Sequence, residues 1–341
     1  MDIRVASPPL QRVGPLAQLP VILAEHGVDI GPILAGLPLT AADIRPETFL
    51  PIEVISTILD RTAAHPGLGD IGLRLARAVN HTILGPIGHL MASCRTLREA
   101  LATYVAVQIA NSTAAAAYLQ PFGEDFAVGF GIYASGRVSH HIYDTSLATG
   151  CNMVRELTGG AVGPVEVLLS RPVPRDPEPY RRAFRCPVRF NESQSCLIIA
   201  GRDMACPLPT ADAARRSALM LALQQQMAAQ PKGFAERVRH VLRPLLLAGN
   251  ASHRQVAEQL RVHPRTLGRR LDGEGCTFEQ LKDEVRLTVA RELLSTSEIG
   301  VSDIATTLGY ATPSAFVRAF RRWTGSSPSA WRRAARHNGG V

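Results

Sequence analysis

A chain of 341 residues is too long for one modest hydrophobic core and suits two domains. Its 37 Lys and Arg against 29 Asp and Glu leave a formal charge of +8. The whole excess falls from Pro231 onward, where 18 basic residues face 10 acidic ones, so only the last third has the electrostatic footprint of a phosphate binder. No apolar run approaches the ~18–20 residues that span a bilayer, and Met1-Asp2-Ile3-Arg4 does not start a charged and apolar leader, so neither membrane nor export is expected. Six cysteines stand singly, with no Cys-x-x-Cys, which points to reduced, packed thiols and away from zinc-ribbon or thioredoxin chemistry.

In chain order, residues 97–108 read as a helix with Leu97, Leu101, Tyr104 and Val105 on one stripe. Residues 113–120 and 126–133, joined through Gly123-Glu124-Asp125, read as a hairpin. His140-His141-x-x-Asp144 puts His141 and Asp144 on one helical face, but two ligands without a third make no metal site. Residues 165–169 and 196–199 are short strands, and residues 171–179, with four prolines, form an irregular loop. There is no Gly-rich phosphate loop, and no motif surrounds any Ser/His/Asp or Cys/His set. Neither a catalytic residue nor a cofactor is expected. Residues 211–229 make an Ala/Leu/Gln helix that Pro231 and Gly233 terminate. The expected division is an α+β domain over 1–230 and an all-α domain over 231–341.

The last third writes one pattern twice. Ala257-x-x-Leu260, Val262, Leu267, Arg269 and Leu271 recur as Ala305-x-x-Leu308, Tyr310, Phe316, Arg318 and Phe320. The offset is 48 residues before the turn and 49 after it, so the second turn is one residue longer. Small Ala lets two helices approach and the large apolar residues bury one face. The polar face left over is what a helix-turn-helix presents to a DNA major groove. Ser252-x-x-Gln255 and Thr277-x-x-Gln280 have capping-box form, and Thr312-Pro313 and Ser327-Pro328 pair a hydroxyl cap with a first-turn proline. Gly309 suits a left-handed turn. Residues 278–294 carry Leu281, Val285, Val289 and Leu293 in line, as a helix joining the two motifs, while Pro244 should kink or divide a helix over 234–247.

Residues 308–310, 313–325 and Ser327-Pro328 resemble the signature of AraC-type (AraC/XylS) transcriptional regulators, and residues 255–275 resemble that family's first helix-turn-helix. Residues 84–88, 96–101 and 184–190 are similar to its arabinose-binding-like N-terminal domain. The resemblance implies base-reading positions at Arg265, Gly268 and Arg269 in the first motif and at Pro313, Ser314 and Arg318 in the second. Arg321, Arg322, Arg332 and Arg333 are expected to hold phosphates, which position the protein without reading sequence. It further implies a cytoplasmic, nucleoid-associated bacterial regulator with double-stranded DNA as partner. A small-molecule effector, a homodimer and activation through RNA polymerase complete that expectation. The alternative is a ligand-independent regulator whose first domain only oligomerises or binds another protein. Where the family usually has Gly and then Ser, the first turn has Arg261 and His263. A left-handed Arg261 would cost roughly 1 kcal/mol, and His263 is a poorer helix cap than Ser.

Overall fold

The computed structural model describes residues 9–77, 79–132, 138–229 and 233–337. The composition break expected at 230–232, and Tyr133, lie outside them. By internal packing the chain divides into two units. One comprises residues 1–167, 175–188 and 196–228, and the other comprises 168–174, 189–195 and 229–341. Among the described residues no helix is long and apolar enough to cross a membrane.

The first unit is α+β. A short ribbon pairs β1 (Leu10–Arg12) antiparallel with β2 (Phe49–Pro51), Gln11 opposite Leu50. A five-stranded sheet runs in the order β3-β4-β7-β5-β6. Its strands are β3 (Ala115–Phe122), β4 (Asp125–Ile132), β5 (Glu166–Leu169), β6 (Val188–Phe190) and β7 (Cys196–Ile199). The expected hairpin is β3–β4, closed by Gly123 and Glu124 with Phe122 opposite Asp125; Gly123 takes φ 62°, which a tight hairpin turn demands. Among the described residues, nine α-helices accompany the strands: α1 (Leu19–Glu25), α2 (Ile30–Leu34), α3 (Ile52–Ala63), α4 (Ile71–Ala76), α5 (Pro86–Ala92), α6 (Leu97–Val107), α7 (His140–Leu157), α8 (Glu178–Phe184) and α9 (Ala213–Ala229). The Pro-rich stretch is irregular only up to Pro177. Pro179 belongs to the first turn of α8, where its missing N–H would have had no helical partner.

Two glycines set the packing of this unit. A Cβ on Gly72 of α4 would stand 2.6 Å from the His141 carbonyl oxygen and 2.8 Å from the Asp144 Cβ of α7, so those helices touch backbone to backbone. A Cβ on Gly129 of β4 would penetrate the Tyr118 ring, which lies fully buried over that strand. Around these approaches gather Leu19, Leu23, Ile52, Ile58, Ile71 and Ile142, each burial contributing on the order of 1.5–3 kcal/mol.

The second unit's C-terminal part is helical: α10 (Phe234–Leu247), α11 (His253–Gln259), α12 (Pro264–Gly273), α13 (Phe278–Thr296), α14 (Val301–Thr307), α15 (Pro313–Thr324) and α16 (Pro328–His337). Helix α13 is the expected joining element. Leu281, Val285, Val289 and Leu293 are all buried along it, and Thr277 and Gln280 form its reciprocal capping box. Helix α10 is not divided at Pro244. The proline sits in the last turn, where it removes a single N–H from the ladder and the helix continues to Leu247. At the other end of α10 the Glu274 carboxylate accepts the Phe234 and Ala235 N–H groups, placing negative charge at a helix N-terminus. Arg243 of α10 and Glu292 of α13 form a buried ion pair at 2.5 Å. Ser252 caps α11 through the Gln255 N–H, but its hydroxyl also donates to the Gln255 side chain, so the box expected there is not reciprocal.

Candidate functional site

The two repeated motifs fold as α11–turn–α12 and α14–turn–α15. In the first, Leu260 ends the helix, Arg261 turns left-handed at φ 53°, and the Val262 N–H reaches back to the Ala257 carbonyl at 2.9 Å. In the second, Leu308 ends the helix, Gly309 turns at φ 73°, and the Tyr310 N–H reaches the Ala305 carbonyl at 3.0 Å. The reversals are the same to the hydrogen bond. The extra residue of the second motif lies after the reversal, before its cap. His263 accepts the Arg265 N–H on Nδ1 at 3.2 Å, and Thr312 accepts the Ala315 N–H at 3.2 Å; a proline follows each. The imidazole therefore does the work of the missing serine.

Helices α12 and α15 each bury one face. Leu267 and Leu271 are fully covered on α12, as are Phe316 and Phe320 on α15. Opposite them, Arg265 and Arg269 are exposed, with Gly268 half-buried between. A Cβ added to Gly268 would meet nothing within 4 Å, so the bare position is open space. On α15, Pro313, Ser314, Arg318, Arg321 and Arg322 are exposed, as is Arg333 on α16. Arg322 also lies 3.4 Å from the Asp283 carboxylate. Arg332 is placed differently: it is half-buried and donates to the Ile299 carbonyl ahead of α14.

Three arginines that sequence reasoning did not single out brace this scaffold. Arg286 lies 4.8 Å from the Tyr310 ring centre and donates Nε to the Leu308 carbonyl, fixing the end of α14. Burial pushes the Tyr310 phenol up, against the opposing pull of Arg286. Arg270 covers the Phe234 ring and Arg291 the Trp331 ring, and burial lowers the Arg291 guanidinium. Residue type alone does not separate such braces from reading residues in a segment this rich in arginine.

The first unit holds a cavity of about 130 Å³ that is partly open to solvent. Its wall combines Arg12 of β1, Leu84, Tyr104 of α6, Phe130 of β4, and Thr149 and Met153 of α7. Burial pushes the Tyr104 phenol up to about 12, so it is a neutral group at any physiological pH. On α7, the ligand atoms of His140, His141 and Asp144 lie within 4.8 Å of one another, so the third ligand absent from the expected pair is His140. Asp144 is already engaged. It accepts the Tyr180 hydroxyl at 2.7 Å and lies 3.7 Å from His141 Nδ1, a buried polar network that joins α7 to α8.

Residues 27–208 match the model of the arabinose-binding domain of AraC transcription regulator, N-terminal, and residues 256–334 match a helix-turn-helix domain. The HTH-type transcriptional regulator VirS of Mycobacterium tuberculosis H37Rv is 30% identical over 322 residues, covering 91% of this chain and 93% of VirS. The ornithine utilization regulator of Pseudomonas aeruginosa is 26% identical over 333 residues, covering 92% and 93% of the two chains. The crystal structure of the transcriptional regulator CdpR from Pseudomonas aeruginosa aligns over 93% of this chain and 97% of its own, at 22% identity and a TM-score of 0.46. One family model thus spans more than half of the chain, and a second covers the paired motifs whose geometry presents two polar helix faces. The chain belongs to the AraC family of DNA-binding, helix-turn-helix transcription regulators.

Proposed function

We propose that this regulator is a homodimeric transcriptional activator in which residues 231–341 read DNA and residues 1–230 sense a small metabolite. The observation that carries the reading is the pair of matched turns, each setting an exposed arginine, Arg269 or Arg318, opposite a fully buried apolar face. Arg265, Gly268 and Arg269 face the first half of the site, and Pro313, Ser314 and Arg318 the second. Arg321, Arg322 and Arg333 take phosphates. The bond from Arg332 to Ile299 makes it first a structural residue. The cavity supports sensing over an oligomerisation-only first domain, because concave apolar sites with a few polar groups are what small ligands fill. A ligand preferred by one conformation shifts the population that engages DNA and RNA polymerase.

Site selection from a random DNA library tests the reading. Arg318→Ala should weaken specific sites by ~1–3 kcal/mol and relax preference at one or two adjacent positions. Arg322→Ala should weaken specific and random DNA alike, since a phosphate contact has no sequence content. Identical base preferences for wild type and Arg318→Ala would reject the role given to Arg318.

A further inference from the structure

The cavity of the first unit has a chemistry that narrows what it holds. Its wall is mostly aliphatic and aromatic, with Leu16, Ile55, Leu59, Leu84, Phe130 and Met153 among its members. Its volume of about 130 Å³ is close to that of the ~150 Å³ apolar cavity that holds a benzene molecule. A single ring or a chain of five or six carbons fills that volume, and the open side sets no upper limit on the occupant.

Among the polar side chains of this wall, the buried Gln11 oxygen has no hydrogen-bond partner among the described residues, and two further groups are poorly served. The Arg12 side chain is only 11% exposed, and burial lowers its guanidinium more strongly than Glu47 raises it. One Nη donates to the Ile83 carbonyl, itself in the wall. Its carboxylate partner, Glu47, stands 4.0 Å away and is 77% exposed, so water screens most of that attraction. Arginine keeps its proton under these conditions, so a cation is held at the cavity with little compensation. The second group is Thr149 on α7. It is 4% exposed, and its buried hydroxyl oxygen has no hydrogen-bond partner among the described residues. A hydroxyl left unmet in this way weakens the empty protein, and a polar atom of a bound molecule would recover that loss.

We propose that the cavity binds a small monocarboxylic acid with an apolar body, its carboxylate meeting both Arg12 and Thr149. The fork of the guanidinium matches a carboxylate in shape as well as charge. A single buried cation suits one negative charge and leaves a second uncompensated, which disfavours dicarboxylates and phosphate esters. The inference rests on the reading of residues 1–230 as a sensor and names the class of its ligand.

The test is calorimetry and thermal unfolding of the full chain with hexanoate and benzoate, beside their uncharged counterparts hexanamide and benzamide. The acids should raise the melting temperature and bind at least about tenfold tighter than the amides, the ratio expected when one charge-assisted hydrogen bond is exchanged for a neutral one. Arg12→Met should abolish that preference while keeping amide binding. Thr149→Val conserves volume and removes the unmet hydroxyl, so the empty protein should be as stable as wild type or more so, with weaker acid binding. Should Arg12→Met fail to fold, the acid-to-amide ratio on wild type and the Thr149→Val result decide the matter. Equal binding of acids and amides, or acid binding untouched by both substitutions, would overturn the assignment. Neutral metabolites that stabilise the chain and shift its DNA affinity, with the acids inert, would leave the sensor standing and remove only its acid ligand. A broad metabolite library with no effect on stability or DNA affinity would remove both.

Discussion

Arg261 and Gly309 occupy the same place in two copies of one turn, and exchanging their chemistry isolates the cost of a left-handed backbone. Both residues have positive φ, 53° and 73°, and the following N–H groups make equivalent bonds to Ala257 and Ala305. The Arg261 side chain is exposed and makes no polar contact among the described residues. Around Gly309 the nearest atom to an added Cβ is Arg286 Nη2 at 3.9 Å, so a methyl group fits without a clash. What remains is conformation. A non-glycine residue in this region costs ~1–2 kcal/mol, and glycine returns ~0.5–1 of that through the entropy of the unfolded chain. Arg261→Gly should therefore stabilise the first turn by about 1 kcal/mol, and Gly309→Ala should destabilise the second by about as much. In hydrogen exchange on the DNA-free full chain, local opening at Val262 should become about fivefold rarer in Arg261→Gly. Opening at Tyr310 should become about fivefold more frequent in Gly309→Ala, with the other turn unchanged in each case. If Arg261→Gly leaves Val262 exchange unaltered while Gly309→Ala accelerates Tyr310, the strain assigned to Arg261 does not exist.

Two further outcomes follow from packing. Arg243→Met should cost ~3–5 kcal/mol in urea unfolding of the DNA-binding part, because the buried Glu292 charge is stranded. The double replacement Arg243→Met with Glu292→Leu should recover most of the loss, and equal costs for single and double variants would show that the pair at 2.5 Å is not coupled. Gly72→Ala should lower the stability of the first unit by ~1–3 kcal/mol, since its methyl meets α7 backbone that has no room to yield. Gly150→Ala is the control. Its Cβ has Leu197 Cδ1 at 3.4 Å as neighbour and should be nearly neutral in the same melt.

Legibility followed local redundancy. Helix α13 was readable because a stripe of four apolar residues, a capping box and a 19-residue length all agree. The hairpin was readable because alternation and a glycine turn agree. Helices α2 and α4 have five and six residues, less than two turns, so no period develops and burial alone holds them. Strands β1 and β6 have three residues each and are defined by their partners. The cavity was beyond reach for a different reason. Its wall is drawn from positions between Gln11 and Leu197, and neither Arg12 nor Thr149 sits in any pattern that marks it. The roles of the arginines were legible as a group only. Arg332, expected on phosphate, also donates to the Ile299 carbonyl, and Arg286, which no motif marks, donates to the Leu308 carbonyl.

The two helix-turn-helix motifs meet one geometric demand with unequal means. The second has glycine at its left-handed residue, threonine as its cap, and a row of rings from Tyr310 through Phe316 and Phe320 to Trp331, with centroids 5.6, 5.8 and 5.9 Å apart. The first has arginine at the strained position, a histidine cap, and leucines where the second has phenylalanines. Each substitution weakens the first turn by an increment of about 1 kcal/mol or less, and each tends the same way. The exposed face of α12 is also sparser, since Gly268 opens a gap between Arg265 and Arg269 that nothing among the described residues fills. A motif with less stability and fewer side chains on offer imposes less on a groove, so on the proposed reading most discrimination between sequences falls to α15. The first motif then contributes chiefly charge and orientation. On that proposal a strained Arg261 is tolerable where it stands, because a reader that asks little of the bases does not need its turn locked.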